Sequence, residues 1–194
     1  MGLAFLATWI DPYSLGSDMI SFALMVMLLE FIIIHSSAFI GSIMFGDGAK
    51  KKKVIAMTGF SAFYMIFVLT FSIGFGDWWP VIAFTGLMLN RLLSVIVGDI
   101  PEGEERDRIR GMWAINVLCY LVGVFVTTLL PVPEFGITSD VVSAAGLTGE
   151  GIWIDEPYRV LAFGFIYFTA VGIFESANIW IHYTSPQPHK PSEK

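Results

Sequence analysis

The longest apolar segment of this chain runs from Asp18 to Phe45 and reads DMISFALMVMLLEFIIIHSSAFIGSIMF. A helix needs about 20 predominantly apolar residues to cross the hydrocarbon core of a bilayer, and this segment exceeds that length. After Asp18 its only ionisable residues are Glu30 and His35. The segment therefore predicts a membrane-spanning helix that carries polar groups at membrane depth.

The rest of the chain has the same character. Of its 194 residues 55% are hydrophobic and 14% charged, and the mean hydropathy is +0.70, which excludes an ordinary soluble domain. Together with 18–45, the segments long enough to span are 54–75, 79–98, 112–130 and 158–182. The prediction is an all-α fold, a polytopic transmembrane helix bundle of about five spanning helices in a single domain over residues 1–183.

Three segments outside these spans have their own predictions. Residues 1–10 are apolar but too short to cross the bilayer, which favours an interfacial or re-entrant segment. The loop 131–157 contains apolar islands, so we expect it to fold over the outer face of the bundle. The tail 184–194 contains three prolines and no apolar periodicity, which predicts a disordered cytoplasmic tail.

Basic residues indicate the orientation of the bundle, because cytoplasmic loops retain positive charge. In a five-helix bundle one side holds Lys50, Lys51, Lys52, Lys53, Arg106, Arg108, Arg110, Lys190 and Lys194. The N-terminus is therefore predicted outside and the C-terminus in the cytoplasm, as in a multi-pass protein of a bacterial inner membrane. The lysine run is expected to contact anionic lipid.

Seven ionisable or asparagine residues fall at membrane depth within the predicted spans, and such residues usually face the protein interior because their exposure to lipid is costly. They are Glu30, His35, Asn90, Arg91, Asn116, Glu175 and Asn178. At about 1.5 Å rise per residue, Glu30 and Arg91 both lie about 18 Å below the outer helix entries, which predicts a buried ion pair. His35 and Glu175 both fall at about 26 Å, which predicts a second polar layer.

The leading functional hypothesis is a small transport or proton-conducting unit, or the membrane subunit of a larger complex, with further copies or partner membrane subunits beside it. Glu175, Asn178 and His182 share one helix face, which could form a proton path to the cytoplasm. The alternative is a structural or scaffold subunit whose polar residues fix helix packing. Water distinguishes the two, since a transport unit needs a wet cavity and a scaffold has a dry core.

An intramembrane enzyme is the least supported class. Residues 74–77 spell the GFGD of intramembrane aspartyl proteases, but the chemistry needs a second aspartate at membrane depth, and none is present. The dipeptide Gly-Asp also follows the predicted helices at residues 46 and 98, so we interpret all three as helix terminators. With three histidines and one cysteine, Cys119, the sequence predicts neither metal nor other cofactor, and no motif indicates nucleic-acid binding.

Overall fold

The computed structural model describes residues 1–98 and 100–184, with side chains described as far as Ala177. The helices are α1 (Gly2–Ile10), α2 (Met19–Phe45), α3 (Lys50–Phe75), α4 (Trp79–Val97), α5 (Gly103–Leu129), α6 (Ser139–Ala145), α7 (Ile152–Asp155) and α8 (Pro157–Thr184). Five helices are long and apolar enough to cross a membrane, and the described residues contain no strand. The predicted all-α bundle is confirmed. The predicted disordered tail lies outside the described residues from position 185 onward.

Two helices begin earlier than hydropathy predicts. α5 begins at Gly103 rather than at residue 112, and α3 begins at Lys50 rather than at residue 54. Hydropathy marks the stretch that lies in lipid, whereas Glu, Lys and Arg are good helix formers that extend a helix into water. Glu104 and Glu105 in the first turn of α5 also interact favourably with the helix dipole.

The three Gly-Asp terminators behave in two ways. Gly76 and Gly98 adopt left-handed backbone conformations with φ of 71° and 92°, as the sequence predicts. Gly46 is instead extended, with φ −78° and ψ 168°. Beside it the end of α2 is stabilised by Lys53, whose Nζ donates a hydrogen bond of 2.9 Å to the Met44 carbonyl.

α2 is the central helix of the bundle. It packs against α1, α3, α4, α5 and α8, and 56% of its spanning stretch is buried, compared with 17–33% in the other four spans. This agrees with the sequence, because Glu30 and His35 lie about 140° apart on the helix and so require neighbours on two sides. A buried cluster that includes Ile32 and Ile40 joins α2 to α3 and α4.

α1 lies antiparallel to the first half of α8. Gly2 lies beside Thr169, while the ring of Phe5 packs directly on Gly164. Thr169 lies twelve residues into α8, so the N-terminal end of α1 reaches a level about 18 Å along α8 from Pro157. Whether α1 is interfacial or re-entrant stays a prediction.

The loop between α5 and α8, with α6 and α7, covers the same end of the bundle. Trp9 Nε1 donates to the Pro133 carbonyl at 2.9 Å, and Thr148 Oγ1 donates to the Gly74 carbonyl at 2.9 Å. Ile137 in this loop is buried in the core that contains Phe5 and Trp9. The predicted covering loop is therefore seen in the structure.

Among the residues that the structure describes, Arg159 is the one basic residue near this end of the bundle, and it caps the end of α5. Its Nη1 donates to the carbonyls of Thr127 at 2.7 Å and Leu130 at 3.2 Å, and its Nε donates to Glu156. Hydrogen bonds from the Tyr158 hydroxyl and then from Arg159 lower the pKa of Glu156 from its ordinary value. The final carbonyls of a helix lack partners within it, so this arginine satisfies groups that would otherwise remain unbonded.

We expect Arg159→Gln to lower the midpoint of unfolding in dodecyl sulfate more than Glu156→Gln does. The first change removes the bonds to the α5 carbonyls and the ion pair, whereas the second removes only the negative charge of a half-exposed ion pair, which contributes little. Equal losses in the two variants would show that the ion pair, rather than the capping of α5, stabilises this end.

Candidate functional site

A cavity of about 680 Å³ lies on one face of α2, between α4 on one side and the α5–α8 pair on the other. Its walls are largely apolar, with polar side chains from four helices. The polar and charged residues that line it include Glu30, Ser37, Arg91, Arg108, Arg110, Asn116 and Glu175. Four of the seven sequence candidates, namely Glu30, Arg91, Asn116 and Glu175, therefore share one cavity.

The cavity exists because the helices diverge toward the end of the bundle opposite the covering loop. α4 packs along α2 and α3, but neither α5 nor α8 is among its packed partners in the described part of the chain. The α8 side chains from 172 to 177 are exposed. On α2 the facing side chains Ser37, Ala38, Gly41 and Ser42 are small and leave the space unfilled.

Glu30 lies at the inner end of the cavity, farther along α2 from Phe45 than any other lining residue of this helix. Its Oε1 accepts a hydrogen bond of 2.5 Å from the Tyr167 hydroxyl on α8. The Tyr120 hydroxyl donates to the Met27 carbonyl at 2.9 Å, and the Tyr120 ring packs edge-on against Phe163 at 4.8 Å. Tyr120, Phe163 and Tyr167, all buried, thus form an aromatic seal between Glu30 and the far end of the bundle.

The open end of the cavity is basic. Arg91 Nη2 donates to Ser37 Oγ at 2.8 Å, and the Arg110 guanidinium lies 5.5 Å from the centre of the Phe45 ring. Phe45 ends α2, a few residues before the lysine run that begins α3, so Arg110 and the lysines share one end of the bundle. We call this the basic end.

The predicted ion pair between Glu30 and Arg91 is wrong. No carboxylate of the described residues lies within 4.0 Å of the Arg91 guanidinium. Trp79 packs against Phe22, with ring centres 5.0 Å apart, so α4 begins about one turn deeper than the entry at Asp18 assumed from sequence. The Arg91 side chain then meets Ser37, about 10 Å along α2 from Glu30.

The predicted layer of His35 and Glu175 is also wrong. His35 Nδ1 shares a hydrogen bond of 3.0 Å with the Tyr64 hydroxyl on α3, and its ring stacks on Phe31 at 5.6 Å. Glu175, on α8, lines the cavity, and the cavity borders a different face of α2 from the one that bears His35. Similar depth did not bring the two together, because the angle around α2 separates them.

The three asparagines have different positions. Asn90 is exposed on α4 rather than buried. Asn116 lines the cavity, and its buried Oδ1 has no hydrogen-bond partner among the described residues. The side chains of Asn178 and His182 lie outside the described part, as does the path predicted through them.

Sequence reasoning missed the tyrosines that hold the polar groups. Tyr167, Tyr120 and Tyr64 bind Glu30, the Met27 carbonyl and His35. A tyrosine deep in a spanning segment is itself a signal, because its buried hydroxyl requires a partner. Among the described residues, no group of three His, Cys, Asp or Glu side chains is placed to hold a metal ion.

Five helices that are long and apolar enough to span a membrane, four of which line a cavity with polar side chains and a basic mouth, define a polytopic α-helical membrane protein. The chain matches no protein-family model, no curated protein and no solved structure.

Proposed function

We propose that this chain is a small membrane transport unit that admits protons or small ions from its basic end and exchanges a proton at Glu30. The observation that carries the proposal is the cavity of about 680 Å³ that extends from the basic end to that carboxylate. A closed, dry core would instead favour a scaffold subunit.

The aromatic seal supports this proposal. A transport path that is open at one end must be closed at the other, or solutes would leak across the membrane. Tyr120, Phe163 and Tyr167 are buried between Glu30 and the covered end, and Tyr167 binds Glu30 directly. A change in the protonation of Glu30 would alter that hydrogen bond, which couples the proton site to the seal.

The charges at the mouth support an orientation. We infer that the basic end faces the cytoplasm, because positively charged loops are retained there. In a bacterial inner membrane, Glu30 would then exchange protons with the cytoplasm through the cavity, about 22 Å along α2 from its end at Phe45.

Cysteine labelling tests whether the cavity is wet and which way it opens. In a Cys119→Ser background we expect an impermeant thiol reagent to modify Ala38→Cys in inside-out vesicles but not in intact cells. Ser36→Cys is the matched control, because Ser36 lies two residues away on α2 and is fully buried outside the cavity. It should stay unmodified from both sides.

Two results would contradict the proposal. If Ala38→Cys stays unmodified both in inside-out vesicles and in intact cells, the cavity is dry and the scaffold function is favoured. If it is modified only from outside the cell, the orientation is reversed.

A further inference from the structure

Arg91 is a cation at membrane depth without a carboxylate partner among the described residues. Only its Nη2 has an acceptor there, the Ser37 hydroxyl, and the residue lines the cavity. A guanidinium has five N–H donors in a planar fork that matches the oxygens of a phosphate or carboxylate. A lone arginine at this depth is costly unless an anion or water compensates its charge.

Two further arginines line the same cavity. Arg108 and Arg110 lie on α5, across from Arg91 on α4, and all three border one space. The carboxylates of the cavity do not neutralise them directly. Glu30 is bonded to Tyr167, and Glu175 forms no ion pair among the described residues. The mouth of the cavity therefore has a surplus of cationic groups.

The cleft also opens toward the bilayer. α4 has no extensive packing with α5 or α8 in the described part of the chain, so close helix contacts do not seal the space between them. Inside, Ile33 and Ile34 on α2 supply an apolar wall on the side of Ser37 away from the basic end. An amphiphile could thus enter sideways with its chain along this wall.

We propose that this cleft binds an anionic phospholipid, with the phosphate at Arg91 and the acyl chains extending between α4 and α8. Charge complementarity selects the anion, and the lateral opening selects a lipid over a soluble ion. The site is distinct from the lysine run, where the exposed side chains of Lys50, Lys51 and Lys52 attract anionic headgroups without a cleft. The inference goes beyond the proposed function, because binding requires no flux.

Thermal unfolding of the purified full-length chain in dodecyl maltoside tests the site. We expect phosphatidylglycerol to raise the unfolding midpoint in a saturable way, whereas phosphatidylcholine with the same chains and inorganic phosphate should not. Arg91→Gln should weaken the apparent affinity by about tenfold or more, as expected when hydrogen bonds to a charged group are lost. Lys51→Gln removes the same charge from the surface and should change it less than twofold, about the scale of an exposed ion pair.

Two further variants test the charge at the site. Arg91→Lys keeps the charge but loses the planar fork of N–H donors. It should bind phosphatidylglycerol less tightly than the natural chain and more tightly than Arg91→Gln. Glu175→Gln should bind phosphatidylglycerol at least as tightly as the natural chain, because it removes a repelling charge. These two comparisons remain available if Arg91→Gln does not fold.

Several results would overturn the proposal. Equal stabilisation by phosphatidylcholine would show that the anion is not recognised. Equal stabilisation by inorganic phosphate would identify a soluble-anion site. Equal losses for Arg91→Gln and Lys51→Gln would assign the effect to general surface charge. Failure of lipid binding leaves the labelling of Ala38→Cys unaffected, so the two proposals fail separately.

Discussion

In reconstituted vesicles, the Glu30→Gln variant is expected to conduct protons on the order of 100-fold more slowly than the natural chain. This is the lower end of the range expected when a positioned proton-transfer group is removed. Glutamine has nearly the same shape and accepts the same hydrogen bond from Tyr167, but it does not take up a proton. The measurement is the rate of internal pH change after a pH jump, with a potassium ionophore to clamp the membrane potential.

Two control variants make the result specific to the cavity. Glu175→Gln removes a second carboxylate from the same cavity and should reduce flux less, because it lies nearer the open end. His35→Gln removes an exposed titratable group about 7.5 Å further along α2, on the face toward α3, and should leave flux unchanged. If a folded Glu30→Gln protein shows the same flux as the natural chain, Glu30 is not part of the proton path. Loss of flux in His35→Gln alone would locate the path on the other face of α2.

Replacement of Gly164 by alanine should destabilise the bundle by about 1–3 kcal/mol, the usual cost of overpacking a core. An added Cβ would lie 2.1 Å from both Cδ1 and Cε1 of Phe5. The Phe5 ring is 1% exposed and packs against Phe168, with ring centres 5.5 Å apart, so it has little room to move. We expect α1 to shift away from α8, which is measurable as a lower free energy of unfolding in dodecyl sulfate.

Gly172→Ala is the matched control. Gly172 lies on the same helix two turns further on, and an added Cβ there meets nothing within 4 Å. Alanine is the better helix former, so this variant should gain about 0.5–1 kcal/mol. Opposite signs for the two substitutions are the expected result. A stabilised Gly164→Ala protein would show that α1 does not pack against α8 through Phe5 and Gly164.

The positions of the spanning helices could be predicted from the sequence, because the bilayer imposes a length and an apolar composition that are read directly along the chain. The predicted span 18–45 and the observed α2 at Met19–Phe45 differ by one residue. The central position of α2 also followed from local geometry, because Glu30 and His35 are on different faces of one helix. The orientation of the bundle remains a prediction that the labelling of Ala38→Cys tests.

The partners of the polar residues were decided only by the tertiary structure. Depth along separate helices matched Glu30 with Arg91 and His35 with Glu175, yet each helix begins at its own level and has its own rotation about its axis. A stagger of one turn moves a side chain by about 5 Å, more than the reach of a hydrogen bond. Only the packed bundle therefore shows that Glu30 binds Tyr167, that His35 binds Tyr64, and that Arg91 lies with Glu175 on one cavity.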